Sequence, residues 1–244
     1  MGTNSEKHQQ WLDQLTARSK AKQQKFMNNI SSRLGHPRME EAPQHPFRGA
    51  PDFWSEKNWS TEQCIEQFTV NFLSVGGHVQ RCDNMNQAAN FIASKAKEMS
   101  PSNIVRQDEQ ELAALSLESL IPSATVKVWN SDTEMLWKSE AAQADFGIVY
   151  ADHAVAYTGS VVVKSAKEKG RSVSLLPTVL FIIIPASRMV TRLGEVLITF
   201  DEAGRENLPA GIHFISGPSR SSDIENDLTI GVHGPGIVYA LIVD

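Results

Sequence analysis

The chain has 244 residues, 41% of them hydrophobic and 21% charged, a size and composition that exclude wholesale disorder and make disulfides or a structural metal unnecessary for folding. Its net charge of -5 excludes a general nucleic-acid binder, which needs a positive surplus to displace phosphate counterions. No apolar run approaches the roughly 18 residues of a membrane span, and the start MGTNSEKHQQWLDQ has no apolar signal core, so a cytoplasmic protein is expected.

Residues 5–34 place Trp11, Leu12, Leu15, Phe26, Met27, Ile30 and Leu34 at spacings near three and four around a basic centre, ARSKAKQQK. That pattern predicts one long amphipathic helix or two short ones. HPRMEEAPQHPFRGAP follows, with prolines at 37, 43, 46 and 51, and reads as an extended linker. Residues 1–55 are therefore expected to form a helical extension with a Pro-rich linker, and residues 56–244 a single α/β domain.

From Ser60 helix and strand periods alternate. STEQCIEQFTVNFLSVGG opens on a capping serine and stops on Gly76-Gly77, as a helix should. A short strand at 78–82, a helix NMNQAANFIASKAKEM, a strand NIVRQ, a helix DEQELAALSLESLI, a strand ATVKVW, a helix SDTEMLWKSEAAQA and a strand FGIVYA come next. This alternation predicts a mostly parallel sheet flanked by helices. The second half adds strands in AYTGSVVVKS, LLPTVLFIIIPAS, GIHFISGPS and GIVYALIVD. The last is apolar on both faces and is expected inside the sheet.

Cys64 and Cys82 are the only cysteines and belong to no CxxC pair, so they do not make a four-cysteine zinc or iron-sulfur site. Cys64 shares a helical face with Phe68 and Phe72, which suits a small buried hydrophobe. There is no G-x-S-x-G elbow, Walker loop, G-x-G-x-x-G or HExxH, which disfavours the corresponding hydrolase, ATPase, dehydrogenase and zincin chemistries.

Two segments concentrate polar chemistry. In FISGPSRSSDIENDLTIGVHGPG, IHFIS reads as a strand, GPSR as a turn and SSDIENDL as a helix start, with Ser222 and Glu225 as an S-x-x-E capping box. The functional alternative places Gly217 and Ser219 at the carboxyl end of a strand in the parallel sheet, where ligands bind in open α/β folds. Asp223 and Glu225 would there oppose a phosphate unless Arg220 intervenes, and they favour a hydroxyl-rich or cationic ligand or a pairing with Arg171. KSAKEKGRSVSLLP is either a solvated hairpin tip or a rim at which Arg171 binds a carboxylate or phosphate bidentately, beside Ser172. His233 and His153 are each either a general base or a structural histidine.

The stretches DFGIVYADHAVAYTGSVVV, KGRSVSLLPT, IIIPAS and FISGPSRSSDIENDLTIGVHGP together resemble the lactate utilization protein C family over residues 60–244, in order and in spacing. The resemblance implies the α/β fold of the ribose-phosphate isomerases, glucosamine-phosphate deaminases and coenzyme A transferases. It also implies a part in oxidising L-lactate to pyruvate beside two cysteine-rich iron-sulfur partner proteins, with no cofactor in this chain. On that reading Arg171, Ser172, Gly217, Ser219, Asp223, Glu225, His233, Thr158 and Gly159 shape a pocket for a small carboxylate or a partner surface, and the N-terminal helix is a docking arm. Family members commonly carry a glutamate where this chain has Tyr157, ahead of the matching Thr158-Gly159, so catalysis at that position is not implied. The alternative is an independent enzyme on a small phosphorylated or carboxylated metabolite, with Arg171 holding the anion and Glu225 or His233 moving a proton.

Overall fold

The computed structural model describes residues 4–38, 57–130, 132, 134–221 and 228–244. Contacts divide the chain into Met1–Trp54 and Ser55–Asp244. In the first unit a single helix α1 (Asn4–Leu34) runs unbroken and exposes Trp11, Phe26 and Leu34 by more than half. It ends at Gly35, whose positive φ of 69° reverses the backbone ahead of Pro37.

The second unit begins with α2 (Thr61–Ser74), and its start is the expected capping box: Ser60 Oγ accepts from Gln63 N and Gln63 Oε1 accepts from Ser60 N. Then follow β1 (His78–Cys82), α3 (Met85–Met99), β2 (Asn103–Arg106), α4 (Gln110–Ala113), α5 (Leu117–Leu120), β3 (Thr125–Val128), α6 (Trp137–Ala142) and β4 (Phe146–Tyr150). The chain continues through β5 (His153–Val155), β6 (Ser160–Lys164), α7 (Arg171–Leu175), β7 (Val179–Pro185), β8 (Met189–Val190) and α8 (Leu193–Ala203). It closes with β9 (Ile212–Ile215), β10 (Arg220–Ser221), β11 (Thr229–Ile230) and β12 (Ile237–Val243).

Six strands form one sheet in the order β1-β12-β7-β4-β2-β3, and every pairing in it is parallel. Alternation along the strands divides the core. Val149, Leu180, Ile182, Val238 and Ala240 face α2, α7 and the second sheet, while Ile148, Phe181, Ile183, Tyr239 and Leu241 face α3, α4 and α5. The last strand is interior as its two apolar faces predict, lying between β1 and β7. Among the described residues no helix is long and apolar enough to cross a membrane.

Three expectations require correction. The single helix over DEQELAALSLESLI is two short turns, α4 and α5, broken at Ser116 with φ 49°. Leu112, Leu115, Leu117 and Ile121 are all buried, and no one α-helical face carries that spacing. The helix expected over SDTEMLWKSEAAQA shrinks to α6, because Asp132 accepts from Glu134 N and, through its backbone carbonyl, from the Trp137 indole, a local turn that competes with helix.

The third concerns β9, which is not part of the parallel sheet. It pairs antiparallel with β6 at the edge of a separate four-stranded sheet, β8-β5-β6-β9. Its residues are half-buried or exposed, whereas β7 and β12 bury nearly every side chain, as parallel strands covered on both faces must. Beyond it, Arg220–Ser221 pairs antiparallel with Thr229–Ile230. The capping box read at Ser222 and Glu225, and the helix start with it, lie outside the described residues.

Candidate functional site

The loop after β9 builds a pocket of about 250 Å³ lined by Gly217, Ser219, His233, Ser174, Leu175 and Val238, among others. Ser219 N donates to Pro235 O at 2.9 Å and Gly231 N donates to Ser219 O at 2.9 Å, which ties the two Gly-Pro turns together. Gly217 has φ 82°, and a Cβ there would meet Val75 at 2.9 Å, so this loop packs on the end of α2. Arg220 serves the same joint, donating from Nη2 to Val75 O at 2.5 Å, where a cation suits the carbonyl end of a helix. Leu180 and Val238, which also line the pocket, lie near the amino-terminal ends of β7 and β12. The expected ligand loop is therefore at the edge of the parallel sheet opposite the one that α/β folds use.

The remaining expected residues fall elsewhere. Arg171 and Ser172 open α7, one turn before Ser174, and do not line that pocket. Arg171 is near enough to His213 that its charge, after burial, depresses the imidazole. Thr158 and Gly159 sit in the turn between β5 and β6. A Cβ on Gly159, whose φ is 58°, would lie 2.8 Å from Phe72 N, so this glycine serves close packing on α2. Tyr157 lies beneath the Lys57 ammonium, 4.9 Å from the ring centre, and 6.3 Å from the Trp59 ring. Asp223 and Glu225 lie outside the described residues.

At the carboxyl edge, β2 and β4 are neighbours whose chains leave to opposite faces: β2 leads into α4 and α5, β4 into β5 and β6. That divergence is a topological switch point, where open α/β sheets form a crevice. Gln107, 1% exposed, bridges the gap: its backbone N donates to Ile148 O at 3.1 Å and its Oε1 accepts from Tyr150 N at 3.0 Å. A buried amide between parting strands leaves no backbone donor orphaned.

Charged groups converge just beyond. Asp152, 8% exposed, accepts from Lys164 N at 2.7 Å and stands 3.4 Å from both the Lys164 and Lys169 ammonium groups. Lys169 also pairs with Glu109. Burial, with the charge of Arg188 second, pulls the Lys169 ammonium below its ordinary 10.5. Burial likewise depresses His153, against the raising effect of Asp152. The loop that carries Lys169 is fixed by Asp108 N donating to Glu168 O at 3.0 Å and by the Trp129 indole donating to Lys167 O at 3.2 Å.

Beside this cluster a cleft of about 490 Å³ opens between Tyr150, Ile183, Pro185 and Val243 at the strand ends and Gln110 and Glu111 on α4. Arg188 stacks on Tyr150, with its guanidinium 4.7 Å from the ring centre, and donates from Nη1 to Ala151 O at 2.7 Å. Sequence reasoning noticed Lys169 only as one charge in a run, and it passed over Gln107, Glu109, Asp152 and Arg188. The available signal was polar residues directly after two apolar strands, QDE after NIVR and DH after FGIVYA.

The LUD domain family model matches residues 65–243. The chain belongs to the LUD domain family. It is 35% identical over 224 residues to lactate utilization protein C of Halalkalibacterium halodurans, which covers 90% of this chain and 96% of that protein. It is 29% identical over 232 residues to lactate utilization protein C of Bacillus subtilis, across 91% of this chain and 96% of that one. The resemblance carried by the motifs is thus matched over nearly the whole of these relatives. A crystal structure of a DUF162 family protein from Deinococcus radiodurans shares the fold, with a TM-score of 0.56 and 16% identity, covering 76% of this chain and 99% of that chain.

Proposed function

We propose that this LUD domain chain is a cytoplasmic, non-redox subunit of a system that oxidises L-lactate to pyruvate beside two cysteine-rich iron-sulfur partners. The observation that carries the reading is the similarity to lactate utilization protein C over 96% of that protein's length. The cysteines support the assignment of electron transfer to partners. Cys64 packs in the hydrophobic cluster on one face of the parallel sheet and Cys82 in the cluster on the other, each as a buried free thiol.

Deletion of the gene is expected to abolish growth on L-lactate while leaving growth on pyruvate intact, with the chain co-purifying with two cysteine-rich proteins. Normal growth on L-lactate in a strain without a second lactate oxidase would sink the proposal.

A second reading, an independent enzyme on a small carboxylated or phosphorylated metabolite, is favoured by one observation. The Lys169–Glu109–Asp152 cluster, with Asp152 buried and the other two half-buried, stands beside the switch-point cleft, where a fold of this kind concentrates acid-base chemistry. Turnover by the purified chain without partners would select it.

A further inference from the structure

We infer that the helix α1 binds an anionic lipid surface, lying along it with its apolar face among the headgroups and its cations against their phosphates. The inference stands on α1 by itself and does not depend on the lactate reading.

At about 100° per residue, Trp11, Leu12, Leu15, Phe26, Ile30 and Leu34 project from α1 within an arc of about 140°. Trp11 is 55%, Phe26 63% and Leu34 64% exposed, and apolar surface of this kind gains free energy when another surface takes it out of water. The six residues fall into two groups, 11–15 and 26–34, about 16 Å apart along the axis, with Thr16, Ser19 and Gln23 between them on the same face. A second copy of α1 is a poor cover for such a face, because paired helices need an apolar residue about every 3.5 positions without a gap of this length.

The charges name the cover. Six of the chain's 23 basic residues but only two of its 28 acidic ones lie in α1. The helix is therefore net +4, and the rest of the chain, with 17 basic against 26 acidic residues, is net -9. Around the axis, Arg18, Lys22 and Lys25 run along one border of the apolar arc beside Trp11, and Lys20 marks the other border. Among the described residues none of these four pairs with a carboxylate. Two copies of α1 would bring their ARSKAKQQK segments together in either orientation, and like charges oppose that.

An apolar arc bordered by cations on both sides, with a tryptophan at one border, is the pattern of a helix that lies in a lipid interface, where long basic side chains reach up to the headgroups. A planar surface also accepts two apolar groups separated by a polar stretch, which a protein partner would have to match with two pockets and an acidic bridge. Among the described residues no helix is long and apolar enough to cross a membrane, so α1 lies on the surface. The acidity of the rest of the chain does not oppose this. The 26 residues between Leu34 and Thr61 can span up to about 85 Å, against a screening length of about 8 Å at physiological ionic strength.

Co-sedimentation of the full chain with vesicles tests the proposal. The chain is expected to bind phosphatidylcholine vesicles that contain phosphatidylglycerol at least tenfold more tightly than vesicles of phosphatidylcholine alone. Raising the ionic strength from about 0.1 M to about 1 M, which shortens the screening length from about 10 Å to about 3 Å, is expected to cost at least tenfold. A Phe26→Glu, Ile30→Glu double variant and a Lys20→Gln, Lys22→Gln, Lys25→Gln triple variant are each expected to lose at least tenfold in affinity. Glutamate and glutamine are good helix formers, so circular dichroism should be unchanged in both. Should the double variant lose helicity, Phe26→Ala with Ile30→Ala decides by the same tenfold criterion. No binding of the phosphatidylglycerol vesicles, equal binding of the two vesicle types, or wild-type binding by either variant would each overturn the proposal. So would a stable dimer in the absence of lipid, seen by light scattering, that the Phe26→Glu, Ile30→Glu variant dissociates, because a second copy would then hold the apolar face.

Discussion

The Lys169 ammonium lies 3.4 Å from the Asp152 carboxylate across 17 positions of sequence. Asp152 follows β4 and Lys169 precedes α7, so this contact closes the excursion through β5 and β6 back onto the edge of the parallel sheet. Asp152 also accepts from Lys164 N. Replacing it with alanine leaves the Lys164 N–H without its acceptor and takes from the half-buried Lys169 one of its two carboxylate partners, Glu109 remaining. Asp152→Ala is expected to lower unfolding free energy by about 1–3 kcal/mol, and Asp152→Asn by less, because an amide oxygen still accepts from Lys164 N. Urea denaturation of both variants checks the order; an equal loss in both would contradict this account.

Two glycines make opposite predictions. A Cβ on Gly170 would fall 1.9 Å from the Trp129 ring, so Gly170→Ala must displace the indole, at about 1–3 kcal/mol, with a change in tryptophan fluorescence. Gly194 lies within α8 with nothing within 4 Å of its Cβ position. Gly194→Ala is expected to stabilise by about 0.5–1 kcal/mol. Thermal melts of the two variants should move in opposite directions.

Stability should fall on mild acidification. His153 and His213 are both held below their ordinary 6.5, chiefly by burial. The unfolded chain therefore takes up protons at these sites before the folded chain does. Their contribution is fully present above pH 6.5 and is lost as the pH falls from there through the folded values. Denaturation midpoints at pH 8 and pH 5.5 should differ by less in a His153→Gln, His213→Gln double variant than in the wild type. An unchanged difference would show that other groups dominate.

The thiols should be silent in the folded chain. Cys64 is 2% and Cys82 1% exposed, and burial raises both above their ordinary 9.0, away from the reactive thiolate. A thiol reagent should label neither in buffer and both in denaturant. Rapid labelling of either in buffer would refute the packing described for α2 or β1.

What was legible in the sequence was local or periodic. Ser60 and Gln63 announce the start of α2 because a capping box needs only residues three apart, and Gly76-Gly77 announces its end. The two apolar faces of IVYALIV announce an interior strand. The family resemblance likewise rests on short stretches kept in order. β9 misled because IHFI carries the strand signal without naming its sheet. A strand's partner is decided by contacts distant in sequence, and here Val161–Lys164 of β6 claims it.

The sequence by itself therefore determined the α/β alternation, the helix caps, the central strand and the family, since each depends on neighbouring side chains or on a run of them. Only the tertiary structure decided where chemistry gathers. Gln107 and Glu109, Tyr150 and Asp152, Lys169, and Arg188 arrive from four separate segments, joined by the divergence of β2 and β4. Burial at that junction turns ordinary polar residues into a poised cluster, and burial is a property of the packed chain that no single segment possesses. The Gly-Pro turns, conspicuous as text, fell at the opposite edge of the sheet, where Gly217 and Arg220 close the loop onto the end of α2.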